Sequence, residues 1–531
     1  MRRLALLAVA VATAAACASS GVRSESARQQ AAPSTTGAAE PQPTPEPEPT
    51  EPAPTEPEPT DPQTTDPTEP DPPPPSSPPT SDDEPITTEV AEGQESIGDD
   101  MFPELGTDDL DVQSYDVRLS YDPATMLIDG GVTLAATPDG PVERIVLDAV
   151  DLDIEAVTVD GAAAEFELGA DELVITPATP PLELAPITID VQYTAEAAVA
   201  DVEAGIFGLG WFATPDGSYV LNQPDGARNW LPSNDHPSDK ALWRFELTVP
   251  TGTTAVANGE LMEQRSGPDG DTWVWEQREA MATYLVQVLT GDYEILERGS
   301  VSGVAIVDVA LAEDVERMEP YFDLTDDQLA FFEPLFGPYP LDRYGLAFTD
   351  SFPGLAMETQ GRSLYSRDDF PGGRVGFVEH LLLSHELAHM WFGDAVTPAD
   401  WSDLWLNESF ATYGEWLWLD HVGLATLEAQ AEDGLVQRRN FAESTGDPGS
   451  VENLFGFERY GGGAVVVHAL RLDIGDDLFF TLLQRWVADN TGTSRTTEDF
   501  IALANEVAGR DLTNFFDSWL FAEQLPEQYP S

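Results

Sequence analysis

The chain is short of cysteine, lysine and histidine. Its 531 residues contain one cysteine and six histidines, and Lys240 is the sole lysine. A single cysteine excludes an internal disulfide framework. Lys and Arg together number 24 against 96 Asp and Glu, a net charge of −72. So acidic a chain argues against nucleic acid as a partner. Long apolar runs are also missing. The stretch Leu4 to Ala16 is too short to span a bilayer, and no later stretch is apolar enough for a transmembrane helix.

That early stretch follows Arg2 and Arg3 and reads as a secretory signal, residues 1–17. Ala14-Ala15-Ala16-Cys17 resembles a bacterial lipobox that lacks the usual Leu three positions before the cysteine. The competing reading is cleavage after Ala18, through the small-x-small pattern Ala16-Cys17-Ala18. Either way the expectation is an extracytoplasmic bacterial protein, a cell-surface lipoprotein or a secreted one. Membrane association is expected only through a lipid on Cys17.

Residues 18–104 form a Pro/Thr/Glu-rich linker, as in Pro45-Glu46-Pro47-Glu48-Pro49. It lacks the apolar content to fold and is expected to be a disordered, polyproline-like stalk. At about 3.1 Å per residue it reaches some ~200 Å when extended. The acidity is not confined to it. Residues 1–100 hold 19 acidic and 4 basic residues, which leaves 77 against 20, a net of −57, for residues 101–531. Such a surface suits a salt-adapted protein.

What is present divides in two. Residues 105–299 show short alternating segments such as Tyr115-Asp116-Val117-Arg118-Leu119 and Ile187-Thr188-Ile189-Asp190-Val191, separated by turns such as Asp139-Gly140. They predict an antiparallel β domain. Met126 and Met281 read as core filling. Residues 300–531 are mainly helical, with a helix near Val375 to Phe392, a second from Leu406 and another over Thr497 to Val507.

The chemistry is concentrated in His385-Glu386-Leu387-Ala388-His389. Histidines four apart share one face of a helix and can bind one ion. Glu408, 19 positions after His389, can supply a third ligand. Two imidazoles and a carboxylate with one open position suit catalytic Zn²⁺, one per chain. Glu386, beside the first ligand, can take a proton from water. The plain alternative is a charged surface helix, but Leu381, Leu382, Leu383, Met390, Trp391 and Phe392 make the helix apolar. Unpaired histidines and a glutamate are costly there. His236, His380, His421 and His468 match no ligand position and read as structural or surface residues.

Five stretches together resemble the gluzincin metallopeptidases of the aminopeptidase N family, which also contains leukotriene hydrolases. The first is the zinc motif with Leu406-Asn407-Glu408-Ser409-Phe410-Ala411, where the family usually has Gly at Ser409. The second is Leu355-Ala356-Met357-Glu358-Thr359, a variant of the GAMEN motif. The third is Tyr460-Gly461-Gly462-Gly463-Ala464. The fourth is Asn222-Gln223-Pro224-Asp225-Gly226-Ala227-Arg228 leading into Pro232-Ser233-Asn234-Asp235-His236-Pro237. The last is Asp511-Leu512-Thr513-Asn514-Phe515-Phe516-Asp517-Ser518-Trp519. The resemblance implies a multidomain chain, a β domain followed by a thermolysin-like α+β catalytic domain. It also implies that Tyr460 is the oxyanion donor, that Glu358 and Gln223 anchor the substrate amine, and that Ala356 and Met357 line the substrate. The expected function is a zinc aminopeptidase acting on peptides with a free N-terminus. The rivals are an endopeptidase of the same zinc class, an epoxide hydrolase, and a non-catalytic surface binding protein.

Overall fold

The computed structural model describes residues 96–530 apart from 141, 198, 201–207, 216 and 351–355. The signal segment, Cys17, most of the stalk and Leu355 lie outside the described residues. Alternation of apolar and polar residues builds the first half. In Leu110–Asp122, Val112, Tyr115, Val117, Leu119 and Tyr121 are buried, and the residues between them mostly face outward. This strand lies inside an eight-stranded sheet. Its strands run in the order Glu260–Gly267, Gly270–Met281, Ala241–Val249, Leu110–Asp122, Leu127–Pro138, Ile187–Glu196, Asp153–Val159 and Ala162–Ala163.

Most neighbours in that sheet are antiparallel, as expected. The pairing of Leu110–Asp122 with Ala241–Val249 is parallel. Nothing local announces it, because the partners are joined by a connection of more than a hundred residues, itself folded into other strands. Met126 corrects a sequence expectation. It sits in the hairpin between the first two strands at φ 59° and is 48% exposed. A residue in a turn has no core to face. Met281 is fully buried, as expected.

The strand Tyr293–Val301 crosses the expected boundary at residues 299 and 300. It pairs with Val304–Leu311 in a six-stranded sheet shared with Arg343–Tyr344, Leu346–Thr349, Ser363–Ser366 and Ala356–Met357. The helices of this half pack on the sheet and on one another: α1 (Val315–Phe322), α2 (Thr325–Phe336), α3 (Phe377–His389), α4 (Trp405–His421), α5 (Leu427–Arg438), α6 (Gly461–Ile474), α7 (Asp476–Asn490), α8 (Thr497–Ala508) and α9 (Thr513–Trp519). Helix α8 opens with a capping box in which Thr496 accepts from the Asp499 amide at 3.2 Å. Among the described residues no helix is long and apolar enough to cross a membrane.

The two halves meet at a seam built partly from residues expected to be linker. Met101 and Leu105 are buried. Asp99 is 2% exposed. Its Oδ2 accepts from the Trp401 amide at 2.9 Å and lies 3.2 Å from His236 Nε2. The Trp401 indole packs edge-on against Tyr284 and Phe102. Order therefore begins before residue 105. Asp99 finds buried donors on both halves there, which composition alone does not register. Lys240 crosses the seam too, its Nζ donating to Asp394 O at 2.6 Å.

Arginines are surrounded by acids. Arg298 reaches Asp308, Glu319 and Asp323, and Arg367 reaches Glu313, Asp314 and Asp350. The remaining carboxylates repel one another, and salt screens that repulsion. The melting temperature should rise from dilute buffer to molar NaCl. An unchanged melting temperature would refute the salt-adapted reading.

Three buried aspartates near the seam give a pH dependence. Burial lifts the carboxyls of Asp148, Asp235 and Asp239 from the ordinary 3.8 to about 6, 7 and 8. Over that range the folded chain holds protons that the unfolded chain has released. Their contribution to stability is therefore full below the ordinary value and is lost as pH rises through the folded ones. In molar salt, unfolding free energy should fall between about pH 5 and about pH 8, and Asp239→Asn should flatten that fall. A stability that climbs over this window, with no change in the variant, would contradict the assignment.

Candidate metal centre and active site

The centre is built from α3 and α4. Helix α3 begins at Gly376, whose amide donates to Glu379 Oε2 at 3.0 Å. It buries Leu383 and Leu387 and ends at His389, so Met390, Trp391 and Phe392 lie beyond it, and the helix is shorter than expected from sequence. Helix α4 is buried along nearly its whole length. Gly414 allows the two helices to touch, since a Cβ there would meet Ala388 Cβ at 2.9 Å. That approach brings Glu408 to the histidines.

The three expected ligands converge. His385 Nε2 and His389 Nε2 are 3.0 Å apart. Glu408 Oε2 lies 3.3 Å from the first and 3.5 Å from the second. Ligands at roughly 2.0–2.1 Å from a tetrahedral zinc stand about 3.3–3.4 Å from one another, so the spacing fits. The hydrogen bonds fit as well. His389 Nδ1 is 3.0 Å from Phe392 O, an atom that can only accept, so Nδ1 carries the proton. His385 Nδ1 is 2.6 Å from Glu415 Oε1. Both Nε2 lone pairs thus point at each other and at a carboxylate oxygen. Three lone pairs in one buried spot repel unless a cation lies among them. The same field acts on protons. Burial opposes charge on His385, but Glu408 and Glu415 outweigh it and hold its affinity for a proton well above the ordinary range. Burial would raise Glu408, yet His389 and His385 hold it down at about 2.

Glu386, 5% exposed, has its carboxyl pushed up to about 8 by burial, against the pull of His385 and His389. Its carboxylate lies within 4.8 Å of ligand atoms of Glu358 and His389. Tyr460 sits at the N-terminus of α6 with its ring parallel to that of His385, centroids 6.1 Å apart. Burial, then Glu408 and Glu358, hold the phenol in its protonated, donating form.

Gln223 and Glu358 come from different halves of the chain, yet Gln223 Nε2 donates to Glu358 Oε1 at 2.8 Å. Glu358 is 3% exposed. Ala356 and Met357 form a short edge strand paired with Tyr365 and Leu364. The remaining histidines are structural among the described contacts. His236 meets Ser238 and Asp99, His380 accepts from Trp418, and His468 meets Tyr413.

Glu415 is the residue that sequence reading missed. It lies seven positions after Glu408 on the same helix. Seven residues are two turns, so both carboxylates face one way, and that spacing was the available signal.

This geometry agrees with the comparisons. Residues 112–285 match the peptidase M1 N-terminal domain and residues 321–519 match the peptidase family M1 domain. The crystal structure of an M1 zinc metallopeptidase from Deinococcus radiodurans superposes with a TM-score of 0.75 at 31% identity, covering 82% of this chain and 99% of that one. A variant of that protein bound to a Tyr-Ser-Ala substrate gives 0.73 at 30% identity, covering 82% of this chain and 99% of that one. A probable aminopeptidase of Sulfurisphaera tokodaii is 24% identical over 79% of this chain and 54% of its own length. The leucyl aminopeptidase of Saccharolobus solfataricus is 25% identical over 72% of this chain and 50% of its own. The chain spans about half the length of the curated relatives it matches. The chain has a two-domain metallopeptidase fold, with a β-rich domain ahead of a helical catalytic domain. It belongs to peptidase family M1, and the zinc of that family's solved members fits the donor set described above.

Glu415 fixes the ring of His385, so Glu415→Ala should weaken zinc affinity roughly 10–100-fold. Competition with a chromogenic chelator measures this. An affinity equal to wild type would deny Glu415 that role.

Proposed function

We propose that the chain is a zinc aminopeptidase that removes N-terminal residues from peptides. The observation that carries this reading is the Gln223–Glu358 pair at the metal centre. A buried carboxylate beside two further carboxylates needs positive charge, and a free α-ammonium group supplies it. Gln223 donates through Nε2 to Glu358, which leaves its Oε1 free to accept from the same ammonium. An internal stretch of peptide offers no such group, so these anchors select chain ends.

His385, His389 and Glu408 would hold the zinc, which when bound would supply Lewis acidity toward water and the scissile carbonyl. Glu386 takes the proton of the attacking water at a carboxylate oxygen and passes it to the leaving amine. Tyr460 donates its phenol hydrogen to the oxygen on which negative charge develops. Ala356 and Met357 lie on an edge strand that an extended peptide can meet.

The test compares chromophore release from an aminoacyl anilide and from its N-acetylated twin, in high salt with zinc loaded. The free amine should be cleaved about a hundredfold faster or more, and Glu358→Ala should erase most of the difference through KM. Equal rates on the two substrates would point to a broader peptidase and remove Glu358 and Gln223 from the amine site.

A further inference from the structure

We propose that Ser409 is a positioning residue for Tyr460, setting where the phenol hydroxyl stands beside the metal ligands. The proposal rests on the reading of Tyr460 as oxyanion donor. Ser409 follows Glu408 on α4 and is fully buried. Its Oγ donates to Arg459 O at 2.7 Å. That carbonyl belongs to the peptide group joining Arg459 to Tyr460, so the bond grips the backbone immediately before the tyrosine. The other end of the tyrosine reaches the ligands, its ring parallel to that of His385 with centroids 6.1 Å apart.

The facing helix is shaped for this bond. A Cβ on Gly463 would meet Ser409 Oγ at 1.8 Å and Ser409 Cβ at 2.6 Å. Only a glycine leaves room for the serine. The bond also supplies something the local sequence lacks. Tyr460 opens α6 ahead of Gly461-Gly462-Gly463, where no side chain can brace the ring, and its own carbonyl accepts from the Ala464 amide at 2.8 Å. On the other side the Arg459 guanidinium donates to Ser444 O at 2.7 Å and Leu454 O at 3.3 Å. That fixes the side chain of Arg459 and leaves its carbonyl to Ser409. The geometry thus adds, to the helical hold on the Tyr460 carbonyl, one hydroxyl of the ligand helix on the peptide before it.

Misplacing a donor lowers the rate of the chemical step without changing how the substrate is held. Ser409→Ala should lower kcat about tenfold, with KM and zinc content unchanged. Ser409→Gly, which adds no atoms, should behave alike and serves if the alanine variant does not fold. The decisive measurement is a cycle with Tyr460→Phe on the free aminoacyl anilide. If Ser409 acts through the tyrosine, Ser409→Ala has no further effect in the Tyr460→Phe background. Effects that multiply, an intact kcat with a lowered melting temperature, or a loss of zinc in the Ser409 variants would each overturn the proposal. A Tyr460→Phe enzyme with wild-type kcat would instead overturn the donor reading, and this proposal with it.

Discussion

Three lone pairs aimed at one another set the terms for the rest of the molecule. His385 Nε2, His389 Nε2 and Glu408 Oε2 stand 3.0 to 3.5 Å apart in a buried place. Without a cation that arrangement is repulsive, so the protein must hold it together by other means. Helix α3 fixes the two histidines at one-turn spacing. Gly414 lets α4 approach closely enough for Glu408 to complete the set. Glu415 and Phe392 O then turn the rings so that their lone pairs face inward. Each of these features costs something as packing and is intelligible as preparation for a divalent ion.

The β-rich half does more than support that centre. It delivers Gln223 to Glu358 across a seam closed by Asp99, Trp401, Tyr284 and Lys240. The candidate metal ligands come from the helical half alone, whereas the Gln223–Glu358 contact draws on both. The ligand set and the Gln223–Glu358 contact are thus physically separable in this fold. A change at the seam would disturb the second before the first.

Much of this was legible in the sequence because it depends on short-range periodicity. The i, i+4 spacing of His385 and His389 is a local property of a helix, and Glu408 falls near the start of the next predicted helix. The strands were visible through alternation, as in Leu110–Asp122. What was not legible depends on contacts between distant segments. The contact of Gln223 with Glu358 joins residues 135 apart, and resemblance brought them together before geometry did. The parallel pairing of Leu110–Asp122 with Ala241–Val249 and the burial of Asp99 are also long-range. Met126 was misread for a different reason. Its apolar character suggested a core, but the turn it occupies decides its exposure. Glu415 was the one local signal overlooked.

The seam contact of Asp99 has a consequence for where the folded protein begins. Judged by strands alone, a minimal fragment would start at Leu110. Such a fragment would lack Met101 and Leu105 from the core and would leave the Trp401 amide and the His236 ring without their carboxylate. The shortest self-sufficient piece must therefore begin upstream of Asp99. A protease that trims the preceding segment leaves the enzyme whole only if its last cut falls before that residue.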